Sequence, residues 1–219
     1  PEGKVTAIVG TSGSGKTTLI KLLLKFYDPE EGKIRVGENN LSQINTMFWR
    51  RNCGSVMQDG FIFNDTIARN ITESDPEGIM EKERLHQAVK VANISDFIEE
   101  LPLGYNTKIG SSGANISGGQ KQRILIARAV YKNPNYIFFD EATSSLDSNN
   151  EKDIMQNLEE FYKGKTVVVV AHRLSTVKNA DQIIVLERGK VIERGDHFTL
   201  TAKKGVYYSL VKNQLDLDQ

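Results

Sequence analysis

Three short stretches carry residue types at spacings that chemistry can use. The first, Gly10-Thr11-Ser12-Gly13-Ser14-Gly15-Lys16-Thr17-Thr18, fits the pattern G-x-x-x-x-G-K-[ST] at every fixed position. Gly10, Gly13 and Gly15 let the backbone take positive φ and bring its N–H groups close to an anion, and the start of the helix that follows adds partial positive charge. The anion this suits is a phosphate chain. Lys16 would hold β- and γ-phosphates, and the Thr17 hydroxyl would ligate a Mg²⁺ whose shell is completed by waters and phosphate oxygens. A glycine-rich turn ahead of an ordinary helix is the plain alternative. The Lys16-Thr17 pair, set between a strand-like and a helix-like run, weighs against it.

The second stretch is Asp140-Glu141, at the end of the apolar run 136–139. Ligands of open α/β sheets sit at the carboxyl ends of the strands, which would put Asp140 beside the phosphate loop, able to orient Mg²⁺ and its waters. Glu141 would then face the γ-phosphate and polarise an attacking water, so hydrolysis rather than group transfer is expected. The competing reading is a solvated helix cap. The third stretch is Ser117-Gly118-Gly119-Gln120, at the head of a helical pattern. Ser117 Oγ and the Gly118 and Gly119 N–H groups would face outward as a second anion-seeking helix start. As a merely structural cap, the glycine pair would lower helix stability to no purpose.

Positioning these residues requires alternating strands and helices. Hydrophobic patterning and turn residues predict a strand over 4–9, a helix over 16–26 ended by Asp28-Pro29, a strand over 33–36, a helix over 46–51 capped by Asn45 or Thr46, and a strand over 54–57 with Gln58 at its end. From 59 to 115 the character changes, with Phe61, Phe63 and amphipathic helical runs; 82–93 places Leu85, Val89 and Ala92 on one side. A helix over 117–130, strands over 136–139, 166–170, 182–186 and 190–193, and helices over 149–161 and 207–215 complete the pattern. Continuous apolar strands alternating with helices imply an α/β fold with a mostly parallel sheet covered on both faces.

Composition narrows the function classes. The 219 residues are 39% hydrophobic and 26% charged, a globular balance with enough chain for one sizeable core. Lys and Arg match Asp and Glu at 28 each, so there is no electrostatic footprint for nucleic acid as a partner. The single cysteine, Cys53, cannot form an internal disulfide and reads as a packing residue. No stretch approaches the twenty or so apolar residues that cross a bilayer. Pro1-Glu2-Gly3-Lys4 reads as a turn leading directly into a strand, which suggests a piece of a larger polypeptide. His86 and His197 read as ordinary structural histidines.

Ile116-Ser117-Gly118-Gly119-Gln120, running into Lys121-Gln122-Arg123, resembles the signature of the ATP-binding cassette (ABC) family, most often Leu-Ser-Gly-Gly-Gln, with Ile116 in the first position. The resemblance implies a P-loop NTPase of RecA-like type, with a core over 1–58 and 131–219, a helical insert over about 59–130, and the N-terminal part of the cassette lying before Pro1. It implies ATP and Mg²⁺ as ligands, and a head-to-tail dimer in which Ser117, Gly118, Gly119 and Gln120 of one copy meet the γ-phosphate held by the other. Gln58 is similar to the family's glutamine loop, which senses metal and attacking water. Ser144-Ser145-Leu146-Asp147 resembles the loop that crosses the dimer interface, with Ser145 in place of the usual alanine. Ala171-His172-Arg173-Leu174-Ser175-Thr176 resembles the switch segment, with His172 at the γ-phosphate holding Glu141 and the water in line.

Phe61-x-Phe63-x-Asp65-Thr66-Ile67-x-x-Asn70-Ile71 and His172-Arg173-Leu174-Ser175-Thr176 are similar to exporter cassettes, and the wording as a whole to peptide or bacteriocin exporters with a peptidase domain. The resemblance therefore implies a homodimer, a transmembrane domain in the same polypeptide, and a place on the cytoplasmic face of the inner membrane. Thr107–Gly113 departs from the exporters' cross-linking loop in carrying Ser111 where glutamate is usual. The aromatic that stacks on adenine in this family would lie before Pro1. The rival reading is a non-transport ABC ATPase acting on nucleic acid or ribosomes, which would be expected to carry a coiled-coil insertion or a basic segment. A P-loop kinase would leave Ser117–Gln120 unexplained, and a degenerate cassette is opposed by intact Lys16, Glu141 and His172.

Overall fold

A computed structural model describes residues 1–73, 80–140, 148–171 and 177–217. In chain order its elements are β1 (Val5–Val9), α1 (Lys16–Leu23), β2 (Arg35–Val36), β3 (Asn39–Asn40), α2 (Thr46–Asn52), β4 (Cys53–Val56), β5 (Asp65–Thr66), α3 (Ile67–Thr72), α4 (Lys82–Val91) and α5 (Ser95–Glu99). There follow β6 (Lys108–Ile109), α6 (Gly118–Lys132), β7 (Tyr136–Asp140), α7 (Ser148–Tyr162), β8 (Thr166–Val170), β9 (Gln182–Glu187), β10 (Lys190–Gly195), α8 (His197–Lys203) and α9 (Val206–Leu217). The chain divides into two compact units. One comprises Pro1–Cys53, Asn135–Asp140 and Gly164–Gln219, the other Gly54–Pro134 and Glu141–Lys163.

In the first unit β1 is the middle strand, parallel to β8 on one side and to β9 on the other. β8 pairs in parallel with β7, and β9 pairs antiparallel with β10, so these strands run β10-β9-β1-β8-β7. This is the mostly parallel α/β sheet that the continuous apolar runs predict. Ala7, Ile8, Ile137, Phe139, Val167, Val170, Ile183 and Val185 are buried along it. Strands buried on both faces have no polar side to present, which is why they read as unbroken apolar runs. At the start of β1, Asp181 accepts hydrogen bonds from the Val5 N–H at 2.8 Å and Lys4 Nζ at 3.0 Å. The Val5 N–H, and then Lys4, hold its carboxyl below the ordinary aspartate range, with burial opposing.

α1 ends at Leu23, three residues before the expected end at Phe26. Lys25 takes a left-handed φ of 56°, and the Phe26 and Lys25 N–H groups close back onto Lys21 O at 2.9 Å and Leu22 O at 3.0 Å. This is a Schellman turn, completed before the Asp-Pro stop can act. α2, capped by Asn45 Oδ1 accepting from the Phe48 N–H at 3.0 Å, anchors that end. Trp49 Nε1 donates to Leu23 O at 2.8 Å, and Arg50 donates to Leu24 O and Lys25 O at 3.2 and 2.7 Å. A cation on these orphan carbonyls also complements the helix dipole. The strand expected over 33–36 is only Arg35–Val36, the first arm of a small hairpin with β3. α8, capped by Asp196, is an element the sequence patterning did not reveal.

The second unit is built on α6, against which α3 and α4 pack. Its buried side includes Ile124, Leu125, Ile126, Ala127 and Tyr131. Arg84 secures the far end of α6, donating to Tyr131 O at 2.6 Å and Lys132 O at 3.3 Å and lying over the Tyr131 ring. Asn70, fully buried, organises the segment before α3. Its Oδ1 accepts from the Phe63 N–H at 2.8 Å, and its Nδ2 donates to Phe63 O, Asp65 O and Thr66 O. Arg128 of α6 adds bonds to Asn70 O, Asn70 Oδ1 and Phe61 O, and its guanidinium lies 5.1 Å from the Phe63 ring centroid. Phe61 and Phe63 therefore stay 67% and 38% exposed on a backbone that is tied down. No helix among the described residues is long and apolar enough to cross a membrane.

Two outcomes follow. Asn70→Ala removes a fully buried side chain that bonds four part-buried backbone groups and should cost about 3 kcal/mol of stability, read from denaturant unfolding; a change within about 0.5 kcal/mol would show that Asn70 is not the tie. Asp181, with its lowered pKa, contributes stability that is present above the unfolded carboxyl pKa near ~4 and lost as pH falls through the folded value. Asp181→Asn should therefore lower the melting temperature at neutral pH, and the gap from the parent chain should close in acid.

Candidate functional site: a phosphate loop and a capped helix start

The loop between β1 and α1 has the shape its residues imply. Gly10, Gly13 and Gly15 have φ of 153°, 76° and 99°, and Gly15 is the cap residue of α1. At Gly10 the need is also steric: a Cβ there would lie 2.2 Å from Leu186 O and 2.8 Å from Ser14 Oγ. At Gly13 a Cβ would meet nothing within 4 Å, so this part of the loop faces open space. Lys16 is only 6% exposed, and its Nζ donates to Gly10 O at 2.9 Å and Thr11 O at 3.0 Å. The ammonium is thus curled over the loop it would serve. Ser14 is 2% exposed, and its hydroxyl has no hydrogen-bond partner among the described residues.

These observations fit a phosphate chain. The loop combines left-handed glycines, a helix start, an ammonium held at its centre and a buried hydroxyl still to be satisfied. Asp140 ends β7 in the same unit, level with Val170 of β8, which is level with Ile8 of β1. Two strand spacings set its backbone roughly 10 Å from that of Ile8, on the edge from which the loop leaves the sheet. It is 1% exposed. Among the described residues no group of three or more His, Cys, Asp or Glu could form a metal cage. One or two oxygens from Thr17 and Asp140, with phosphate and water supplying the rest, is the way Mg²⁺ is usually held.

In the second unit Ser117 caps α6. Its Oγ accepts from the Gln120 N–H at 3.1 Å while Gln120 Oε1 accepts from the Ser117 N–H at 2.8 Å, a reciprocal capping box. Ser117 and Gly118 are exposed. Because the Ser117 oxygen accepts from the helix, its O–H remains able to donate outward. Gln58 lies, exposed, in the turn after β4, which Gly60 closes by donating to Met57 O at 3.0 Å. The structure thus brings Gly10–Thr18 and Asp140 into one unit, and places Gln58 and Ser117–Gln120 in the other. Glu141, Ser144–Asp147 and His172 lie outside the described residues.

One contributor carries no motif. Gly189, in the turn between β9 and β10, donates its N–H to Ser14 O at 2.9 Å. The pair is 175 positions apart in sequence, and the only local sign is the glycine in Arg188-Gly189, which reads as an ordinary hairpin turn.

The family model described as ABC transporter matches residues 1–144. The chain belongs to the ABC transporter family. It is 49% identical over 217 residues to the leukotoxin translocation ATP-binding protein LktB of Mannheimia haemolytica, covering 99% of this chain and 30% of that one. To multidrug resistance protein 3 of Entamoeba histolytica it is 47% identical over 214 residues, 97% of this chain and 16% of the relative. Among solved structures, a bacterial Atm1-family ABC exporter with ATP bound superposes with a TM-score of 0.90 at 41% identity, over 95% of this chain and 36% of that one. The chain therefore spans a third or less of the curated relatives it matches, and the fold is the ABC form of the P-loop NTPase.

The two loop glycines should separate by mechanism. Gly10→Ala should cost about 3 kcal/mol of stability or more, because a backbone carbonyl must move, whereas Gly13→Ala should cost about 1 kcal/mol, the penalty of a left-handed alanine. Equal melting temperatures for the two variants would contradict the packing assigned to Gly10.

Proposed function

We propose that this chain is the ATP-binding and ATP-hydrolysing domain of an ABC exporter, working as a head-to-tail pair that holds two ATP. Lys16 and the loop N–H groups of one copy bind the β- and γ-phosphates, and Thr17, Gln58 and Asp140 serve the Mg²⁺. Ser117, Gly118 and Gly119 of the other copy close on the γ-phosphate from the far side. Glu141 polarises the attacking water and His172 keeps it in line. The observation that carries this reading is the Ser117 helix start: exposed, already capped within its own chain, and left with an outward hydroxyl and glycine N–H groups that suit an anion.

ATP favours such a closed pair only because it touches both halves; ADP, without the γ-phosphate, cannot bridge them. The pinned aromatics Phe61 and Phe63 form the surface that meets the transmembrane domains, fused in the same polypeptide and set at the cytoplasmic face of the inner membrane. Support for export comes from relatives whose names speak of toxin translocation and multidrug resistance, and from the exporter that superposes on this chain. Action on nucleic acid or ribosomes is not favoured: the relatives reported above are named for toxin translocation and multidrug resistance, and the formal net charge is zero.

Glu141→Gln should slow ATP hydrolysis by about two orders of magnitude or more while ATP stays bound and the paired form accumulates on size-exclusion chromatography. Unchanged turnover would remove Glu141 from the role of base. Ser117→Arg should block turnover and pairing while a single copy still binds ATP, measured by equilibrium binding. Pairing and turnover at the parent level would dismiss the second helix start as a phosphate contact.

A further inference from the structure

The hairpin of β9 and β10 touches the phosphate loop at two points: Leu186 O fills the space where a Gly10 side chain would be, and the Gly189 N–H donates to Ser14 O at 2.9 Å. Arg188 and Gly189 have φ of 49° and 76°, with Glu187 and Lys190 paired on either side, so the turn is a two-residue hairpin of the type with two left-handed central residues. In such a turn the flanking residues make the ladder bonds. The apex N–H of Gly189 is left over, and it is used on the loop.

We infer that Gly189 is a positioning residue for the phosphate loop, setting the direction of the Gly15 N–H through the Ser14 carbonyl. A trans peptide is planar, with its C=O and N–H pointing opposite ways. Holding Ser14 O toward the hairpin therefore turns the Gly15 N–H away from it, at the start of α1, where the loop needs its donors to converge. Gly15 tolerates the resulting φ of 99°, and a Cβ placed on it would lie 3.7 Å from Gly189 Cα, so the hairpin apex lies beside the last loop glycine. This rests on the reading that residues 10–18 bind nucleotide phosphates.

The test replaces Gly189 by glycolic acid through nonsense suppression, which exchanges its N–H for an ester oxygen and leaves the left-handed turn accessible. ATP affinity should fall about tenfold, the scale of one misdirected donor to a charged group, with the ligand-free melting temperature within about 2 °C of the parent. Gly189→Asn, which keeps the N–H and tolerates positive φ, should stay within about twofold in affinity. Unchanged affinity in the ester, or affinity and melting temperature falling together, would overturn the assignment. Lys16→Ala serves as the control: if it binds ATP like the parent, the nucleotide reading itself falls, whereas loss of binding there with an unaffected ester removes the role of Gly189 alone.

Discussion

A backbone carbonyl sits where the first glycine of the phosphate loop would carry its side chain, and the rest of the first unit follows from that closeness. Gly10 can lie against Leu186 O only because β9 runs beside β1 in parallel, ending at the same edge of the sheet. With β8 paired on the other side, β1 is held in register by a hydrogen-bond ladder along each of its edges. The loop therefore leaves the sheet at a defined place and height. α1 is likewise held at both ends, at its start by Gly15 and the loop and at its finish by Trp49 and Arg50 on its last carbonyls. A loop of small residues, each with wide conformational freedom, is made specific by rigid neighbours rather than by its own contacts.

The second unit solves a similar problem by different means. Among its described residues β5 and β6 form only a two-stranded pair, so its irregular segments are tied by polar side chains. Asn70 supplies both donor and acceptor to the backbone at Phe63 and around the short strand β5, and Arg128 adds a second layer from α6. Burial lowers the Arg128 pKa, and Glu73 works against that shift. A buried polar hub of this kind holds a loop in one shape only when nearly all of its groups are satisfied. Two apolar rings, Phe61 and Phe63, can then stand at the surface in a T-shaped pair without collapsing inward. The same helix carries the signature residues at its other end, so the exposed aromatics and the Ser117 cap are joined through α6.

Taken together, the two anion-seeking helix starts differ in how they are prepared. The α1 start has a lysine folded over it and a buried hydroxyl without a partner among the described residues, a state that improves when an anion arrives. The α6 start is self-satisfied by its capping box and offers only what remains. In the proposed function this asymmetry corresponds to a primary phosphate grip and a second, weaker clasp.

Much was decided by sequence alone. Gly10–Thr18 is legible as a candidate phosphate loop because phosphate binding by backbone needs glycines at fixed offsets, and those offsets are local. The strands of β1, β7 and β8 are legible because burial on both faces leaves unbroken apolar runs, and Ser117 ahead of a helical run reads as a helix start. What sequence could not reveal depends on residues far apart in the chain. The early end of α1 follows from a left-handed Lys25 and from Trp49 and Arg50, some twenty-five positions on. The prop beneath Ser14 comes from a hairpin turn whose glycine looks like any other, and Asn70 reads as a polar residue in a helix until the backbone it serves is seen around it. Spacing along the chain encodes which groups can form a local anion site; only the packing of strands from both ends of the sequence decides which backbone groups hold that site in shape.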